Sequence, residues 1–381
     1  MKKLISFFMT AATCTMAQDQ WTFVDFKNPA VRVEGRHSIE GNTLMTAWSG
    51  TSFTVAFKGT ALKIKLKSPG SVFNVTVDEK TSVLNLATNE ESEHLIAKDL
   101  KPGFHTVTVY KRTEAFYGEA HFQGFEILGT PAPAKLPRPK KRRIEFVGNS
   151  ITCGYGILDH VKEDAFSITT EDASMSYASV AARALNAEAY LVCASGRGVY
   201  RNFDGEMKET MLPYYDKVSP LSDSRWDFSK WTPDMVLMNL GTNDFAMGIP
   251  DSAAFTNAVL SLIQKIRAHY PKTPIVLMEG PVLSDNHPPV SDEVRATLPA
   301  DYVQEAEHGY TFRSLTICRR FLDSVRDHLK ASGDSQIYRF TIPPQDGTYG
   351  YGADWHPSSE QAAHDGKLLA NWISKTFKWK K

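Results

Sequence analysis

The sequence predicts an all-β domain followed by an α/β domain built on a parallel sheet. Two rhythms predict it. From Trp21 to Gly129 hydrophobic residues alternate with polar ones, and after Ile144 compact apolar runs alternate with helical patterns. A stretch rich in proline and basic residues separates the two regions. At 381 residues the chain has room for two domains, each with its own core.

Residues 1–17 read as an export signal. Lys2 and Lys3 form a basic start, Leu4 to Thr13 is apolar, and Ala17 is a small residue suited to cleavage before Gln18. Cys14 offers a lipoprotein alternative, which Thr13 before it fits poorly. The apolar run is too short to span a bilayer, so the expected location is secreted or periplasmic. Cys153, Cys193 and Cys318 follow, an odd number with no metal-type spacing. They are expected to be buried free thiols rather than a disulfide framework.

Residues 18–129 carry the β pattern. Phe53, Val55 and Phe57 alternate before a turn expected at Lys58-Gly59, and Leu62, Ile64 and Leu66 alternate with lysines after it. Phe73, Val75 and Val77 precede a turn at Asp78-Glu79-Lys80, and Val107 and Val109 sit between threonines. Short alternating strands with regular turns indicate a β-sandwich, jelly-roll-like in type. Residues 130–143, with four prolines and then Lys140 to Arg143, read as a stiff solvated linker.

Residues 144–381 form the α/β region. Ile144–Val147, Ala189–Cys193, Met235–Leu240 and Ile275–Met278 suit strands buried on both faces, with Gln336–Ile342 a weaker fifth. Helical patterns occupy Ser176–Leu185, Ala253–Tyr270, Ser314–Leu329 and Ser359–Phe377. Sites in such sheets lie at the carboxyl ends of the strands.

Three groups of residues fall there. Gly148-Asn149-Ser150 follows the first strand, where the glycine permits a tight turn that projects the serine. Asn243, in Gly241-Thr242-Asn243-Asp244, follows the third, where an amide can donate to developing negative charge without titrating. Asp354-Trp355-His356-Pro357 precedes the last helix, with His356 expected at its N-cap and Pro357 in its first position. Alone, Ser150 and Asn243 are compatible with turn or capping use, and a lone histidine is usually inert. Together, in chain order, they point to nucleophilic catalysis.

These blocks resemble those of the SGNH (GDSL-type) hydrolases, which implies a three-layer α/β/α domain. Ser195 to Asn202 is similar to the family's second block, which implies an oxyanion-hole glycine. Counting from the strand favours Gly198, with Gly196 the alternative. The preceding β-sandwich further resembles carbohydrate esterase family two, whose members deacetylate plant polysaccharides. The resemblance implies Ser150 as nucleophile and His356 as base. Ser150, a block-two glycine and Asn243 would hold the oxyanion, with no metal or organic cofactor. Two departures stand out. Asn149 replaces the aspartate of the eponymous motif, and Asp354 lies two residues before His356 where three are usual. Asp354 is expected to orient His356, with a backbone carbonyl as the alternative.

Trp355 and Tyr200 are candidate platforms for a sugar ring, with core packing the other reading of each. The expected activity is removal of O-acetyl groups from carbohydrate, xylan or another hemicellulose. Alternatives are sialate, peptidoglycan or lipid esters, or a carbohydrate-binding protein with a decayed esterase domain. Lys+Arg and Asp+Glu are both 43, so net charge gives no reason to expect nucleic acid as partner. An acetylated glycan is the expected partner. Oligomeric state is not legible.

Overall fold

The computed structural model describes residues 20–285 and 314–379. The export-signal reading of residues 1–17 lies outside them. Among the described residues no helix is long and apolar enough to cross a membrane.

Ten strands are described in the first domain. They are β1 (Trp21–Asp25), β2 (Val31–Glu34), β3 (Ser38–Glu40), β4 (Thr43–Thr46) and β5 (Ser52–Lys67), then β6 (Ser71–Val77), β7 (Lys80–Leu86), β8 (Glu93–Ala97), β9 (Gly103–Lys111) and β10 (Ala120–Pro131). All their pairings are antiparallel. The long β5 organises them. Its first half pairs with β2 and β9, and its second half with β8 and β10. The sheet therefore folds over one core of Phe53, Val55, Leu62, Ile64, Phe122 and Phe125, among others. The turn expected at Lys58-Gly59 does not form, because the strand continues through it. Leu128 pairs with Ala61 and Gly129 with Gly59, so Thr60 is an extra residue that forms a bulge in β5 beside Gly59, where a Cβ would sit 2.3 Å from the Leu128 carbonyl oxygen. The missing side chain lets the chain bend without reversing.

Five parallel strands follow: β11 (Arg142–Gly148), β12 (Ala187–Cys193), β13 (Met235–Asn239), β14 (Ile275–Met278) and β15 (Ile337–Arg339), in the order β12-β11-β13-β14-β15. The expected linker is shorter than residues 130–143. β10 runs to Pro131, and Arg142 and Arg143 pair with Ala187 and Glu188 in the sheet. Six helices are described: α1 (Ser150–Cys153), α2 (Tyr177–Ala184), α3 (Met211–Tyr214), α4 (Ser252–His269), α5 (Ser314–Ala331) and α6 (Ser359–Thr376). Alternate strand residues feed two cores. Val236, Ile275 and Leu277 meet α4 and α5, while Leu237, Val276 and Met278 meet the side holding α2 and α6. This is the three-layer α/β/α arrangement.

The two domains share polar, buried contacts. Arg36 of the sandwich donates to Glu145 of β11 at 2.8 Å, and Tyr215 Oη donates to the same carboxylate at 2.8 Å. Glu145 sits mid-strand in an otherwise apolar run, and its partner comes from the other domain. Trp48 and Ala115 from the sandwich enter the α/β core. On the far side Arg112 Nε donates to the Glu171 carbonyl at 3.1 Å, and Asn74 donates to Asp172 at 3.1 Å. Charges buried in this way hold only when every partner is present.

Candidate active site

β11 delivers Ser150. Asn149 caps the short α1 by accepting the Ile151 N–H at 3.1 Å, the use of asparagine that capping favours. Ser150 then occupies the first helical position. The glycine before them is obligatory in this turn, since a Cβ at Gly148 would lie 2.1 Å from Thr152 Oγ1.

His356 reaches Ser150 across the cleft, Nε2 to Oγ, at 2.8 Å. Its Nδ1 lies 3.0 Å from the carbonyl oxygen of Asp354. That contact fixes the tautomer: Nδ1–H donates to the carbonyl, and Nε2 is left to accept the serine proton. The Asp354 carboxylate points elsewhere. It accepts from Tyr155 Oη at 2.8 Å and from the Phe166 N–H at 3.3 Å. The expected carboxylate–imidazole contact is thus replaced by the backbone carbonyl of the same residue.

The reason is local. Asp354 and Trp355 both take left-handed backbone angles (φ 49° and 60°), unusual for side chains of this size. The loop is laced to residues 156–164, with the Ala353, Asp354 and Trp355 N–H groups donating to the carbonyls of Gly156, Asp164 and Lys162 at 3.1 Å each. Tyr155 also lies over the imidazole, ring centroids 4.4 Å apart. Nothing in the sequence spacing marks Tyr155, which the fold brings from the α1 side.

His356 is not at a helix N-cap. Ser358 caps α6, its side chain accepting the Gln361 N–H at 3.1 Å. Pro357 instead bridges to Tyr351. Burial pushes the His356 pKa down from its ordinary value, and the Asp354 carbonyl partly offsets this. The neutral, proton-accepting form is therefore favoured near neutrality.

Asn243 lies in the loop that follows β13, and its side-chain N–H donates to the Arg197 carbonyl at 2.9 Å. A primary amide has two N–H donors, so one remains for a ligand. The loop after β12 is pinned by Asp244. Its Oδ1 accepts from the N–H groups of Val199, Tyr200 and Arg201 at 3.0, 2.7 and 3.1 Å. This pinning sets the two glycines of the loop apart. Gly198 is fully enclosed, donates its N–H to Asn202 Oδ1 at 3.3 Å, and has Arg201 O within 2.0 Å of any Cβ. It is a packing glycine, and its amide is already spent. Gly196, at φ 74°, makes no such bond through its N–H among the described residues. Of the two glycine amides, that of Gly198, favoured on the sequence, is engaged, and that of Gly196 has no partner among the described residues.

The two ring candidates separate as well. Tyr200 packs against the α/β core. Trp355 is half exposed beside His356, with Lys162 Nζ 4.0 Å from its ring centroid. Glu114, from the sandwich domain, was not singled out by the sequence. Fully buried, it accepts the Ser195 N–H at 2.7 Å and so holds the start of the Gly196 loop. A lone glutamate after a β-strand carries no signal of such a role.

Comparison with known proteins places this geometry in context. The family model described as carbohydrate esterase 2 N-terminal matches residues 33–137, and that of the GDSL-like lipase/acylhydrolase family matches residues 146–363. The chain is 34% identical over 344 residues to the cellulase/esterase CelE of Acetivibrio thermocellus, covering 90% of this chain and 39% of that protein. The chain therefore spans well under half of that relative. It is 29% identical over 291 residues to an acetylxylan esterase/glucomannan deacetylase of Cellvibrio japonicus, covering 73% of this chain and 79% of the relative. A solved family two carbohydrate esterase from Clostridium thermocellum, in complex with cellohexaose, superposes with a TM-score of 0.79 at 33% identity. That match covers 92% of this chain and all of the other.

Proposed function

The chain belongs to the family two carbohydrate esterases, with a GDSL-type hydrolase domain, and from that premise we propose that it removes O-acetyl groups from hemicellulose through an acyl-serine intermediate. The observation that carries the proposal is the 2.8 Å contact between Ser150 Oγ and His356 Nε2, with Nδ1 held by a carbonyl.

In this reading His356 takes the Ser150 hydroxyl proton as Oγ attacks the acetyl carbonyl carbon. The oxyanion that forms is held by the N–H groups of Ser150 and Gly196 and by the free N–H of Asn243. These donors are fixed in advance by the α1 turn and the Asp244-pinned loop, so they need little reorganisation as charge develops. The imidazolium then returns the proton to the departing sugar oxygen, which leaves acetyl-Ser150. Water attacks the acetyl group, His356 takes its proton, and Ser150 is released with acetate. The Asp354 carbonyl stabilises the imidazolium without a buried carboxylate. Trp355 supplies an exposed ring beside the base on which a sugar can stack.

The relatives named for acetylxylan esterase and glucomannan deacetylase activity support a hemicellulose substrate. The apolar stretch at residues 4–13, behind two lysines, supports export to where such a substrate is found. The test is acetate release from acetylated xylan, acetylated glucomannan and O-acetyl sialic acid. Release from the first two, abolished by Ser150→Ala, is the expected result. Release from sialic acid alone would overturn the hemicellulose assignment.

A further inference from the structure

Behind the nucleophile turn, the two domains enclose a cluster of side chains sealed from solvent. Lys111, Glu114, Cys153, Glu171 and Cys193 are all buried, none more than 1% exposed. Lys111 and Glu114 come from the sandwich. Cys153 ends α1, and Cys193 ends β12. Gly148 and Cys193 are register partners in adjacent strands, so the turn through Ser150 carries Cys153 back over the end of β12. The two sulfurs end up 2.8 Å apart. That is closer than unbonded thiols rest, and a short step from the about 2.05 Å of a bonded pair.

We propose that Cys153 and Cys193 are joined by a disulfide when the protein folds in an oxidising environment, leaving Cys318 as a free thiol. The reaction is exchange with an external low-molecular-mass disulfide. Each cysteine gives up one proton and one electron, the S–S bond forms between them, and the incoming disulfide leaves as two thiols.

Position dictates when this happens. Exchange needs an accessible thiolate. In the folded protein Cys153 is sealed, and burial holds its pKa well above the ordinary value, with Cys193 and Glu114 adding to the effect. The bond therefore forms before Lys111 and Glu114 close over the site. Once made, it is equally protected from reductants.

The consequence falls on the site. Ser150 opens the helix that Cys153 closes, and Cys193 is followed directly by Ala194, Ser195 and Gly196. A bridge across this 40-residue separation ties the nucleophile turn to the loop carrying the proposed oxyanion amide. It also restricts the unfolded chain. Cys318, on α5 and buried in the other core, has no disulfide partner among the described residues and serves as an internal control.

The test is to refold the full chain in a reduced/oxidised glutathione couple, and separately in reduced glutathione alone. Each product is alkylated in denaturant without reduction and its peptides mapped by mass spectrometry. The expected result from the couple is a linked pair of peptides containing Cys153 and Cys193, lighter by two hydrogens than their sum, with Cys318 alkylated. The bridged form should also melt higher than the reduced form. Cys318→Ser should keep the linkage, and Cys193→Ser should leave Cys153 alkylated. Recovery of Cys153 and Cys193 as alkylated thiols after refolding in the couple would overturn the proposal, as would a linkage through Cys318.

Discussion

Replacing Asp354 by Asn tests whether a carbonyl, rather than a carboxylate, orients the base. The variant keeps the main-chain oxygen 3.0 Å from His356 Nδ1. It loses only a negative charge, on a side chain already engaged by Tyr155 and the Phe166 N–H at 2.8 and 3.3 Å. Asp354 is exposed, so its attraction for the imidazolium is screened by water and contributes about 0–1 kcal/mol. A loss of about 1 kcal/mol in transition-state stabilisation lowers kcat about fivefold. Where a carboxylate itself holds the imidazole, the same replacement costs about 10⁴. The two arrangements thus differ by about three orders of magnitude. The assay is kcat and kcat/KM on an activated acetyl ester across pH for wild type, Asp354→Asn and His356→Ala, with melting temperatures as a control on folding. The Asn variant is expected within about fivefold of wild type, its acid limb moved slightly to lower pH because a charge favouring the imidazolium is gone. His356→Ala is expected to be almost inactive. A thousandfold loss in Asp354→Asn at unchanged melting temperature would refute the carbonyl-oriented dyad.

Ser150→Ala should lower kcat by about a thousandfold or more; retention of a tenth of wild-type activity would exclude it as nucleophile. Asn243→Ala should cost about 10²–10³ in kcat with little change in KM, since its bond to the oxyanion strengthens only in the transition state. A dominant KM effect would make it a ground-state binding residue. Since the base must be neutral and burial lowers the His356 pKa, kcat/KM should rise with pH and reach half its plateau below about pH 6.5. A midpoint above that value in a pH–rate profile would contradict the cause given for the shift. Glu114→Ala strands the Ser195 N–H and removes a carboxylate beside buried Lys111, so urea unfolding should show a loss of about 3 kcal/mol. An unchanged midpoint would mean the sandwich does not support the oxyanion loop.

Much of this protein is written in local pattern. Period-two alternation marked β5, β6 and β9 of the sandwich, and apolar runs marked four of the five parallel strands, the short β15 more weakly, because a sheet's burial imposes its own spacing on the chain. Ser150, Asn243 and His356 were legible because strand ends in such a sheet converge on one edge; a residue's place after a strand therefore forecasts its neighbours. What the sequence could not carry is direction. Whether Asp354 turns its carboxylate or its carbonyl to His356 depends on two left-handed residues, held by carbonyls of residues 156–164 that lie far away in sequence. The choice between Gly196 and Gly198 rests on where Asp244 and Asn202 spend their hydrogen bonds. Strand β5 runs through Gly59 because Gly129 lies opposite it. Glu114 and Glu145, unremarkable in sequence, find their partners across the domain boundary. In each case tertiary structure decides, because a buried polar group is defined by the partner that satisfies it, and that partner is set by packing between distant segments.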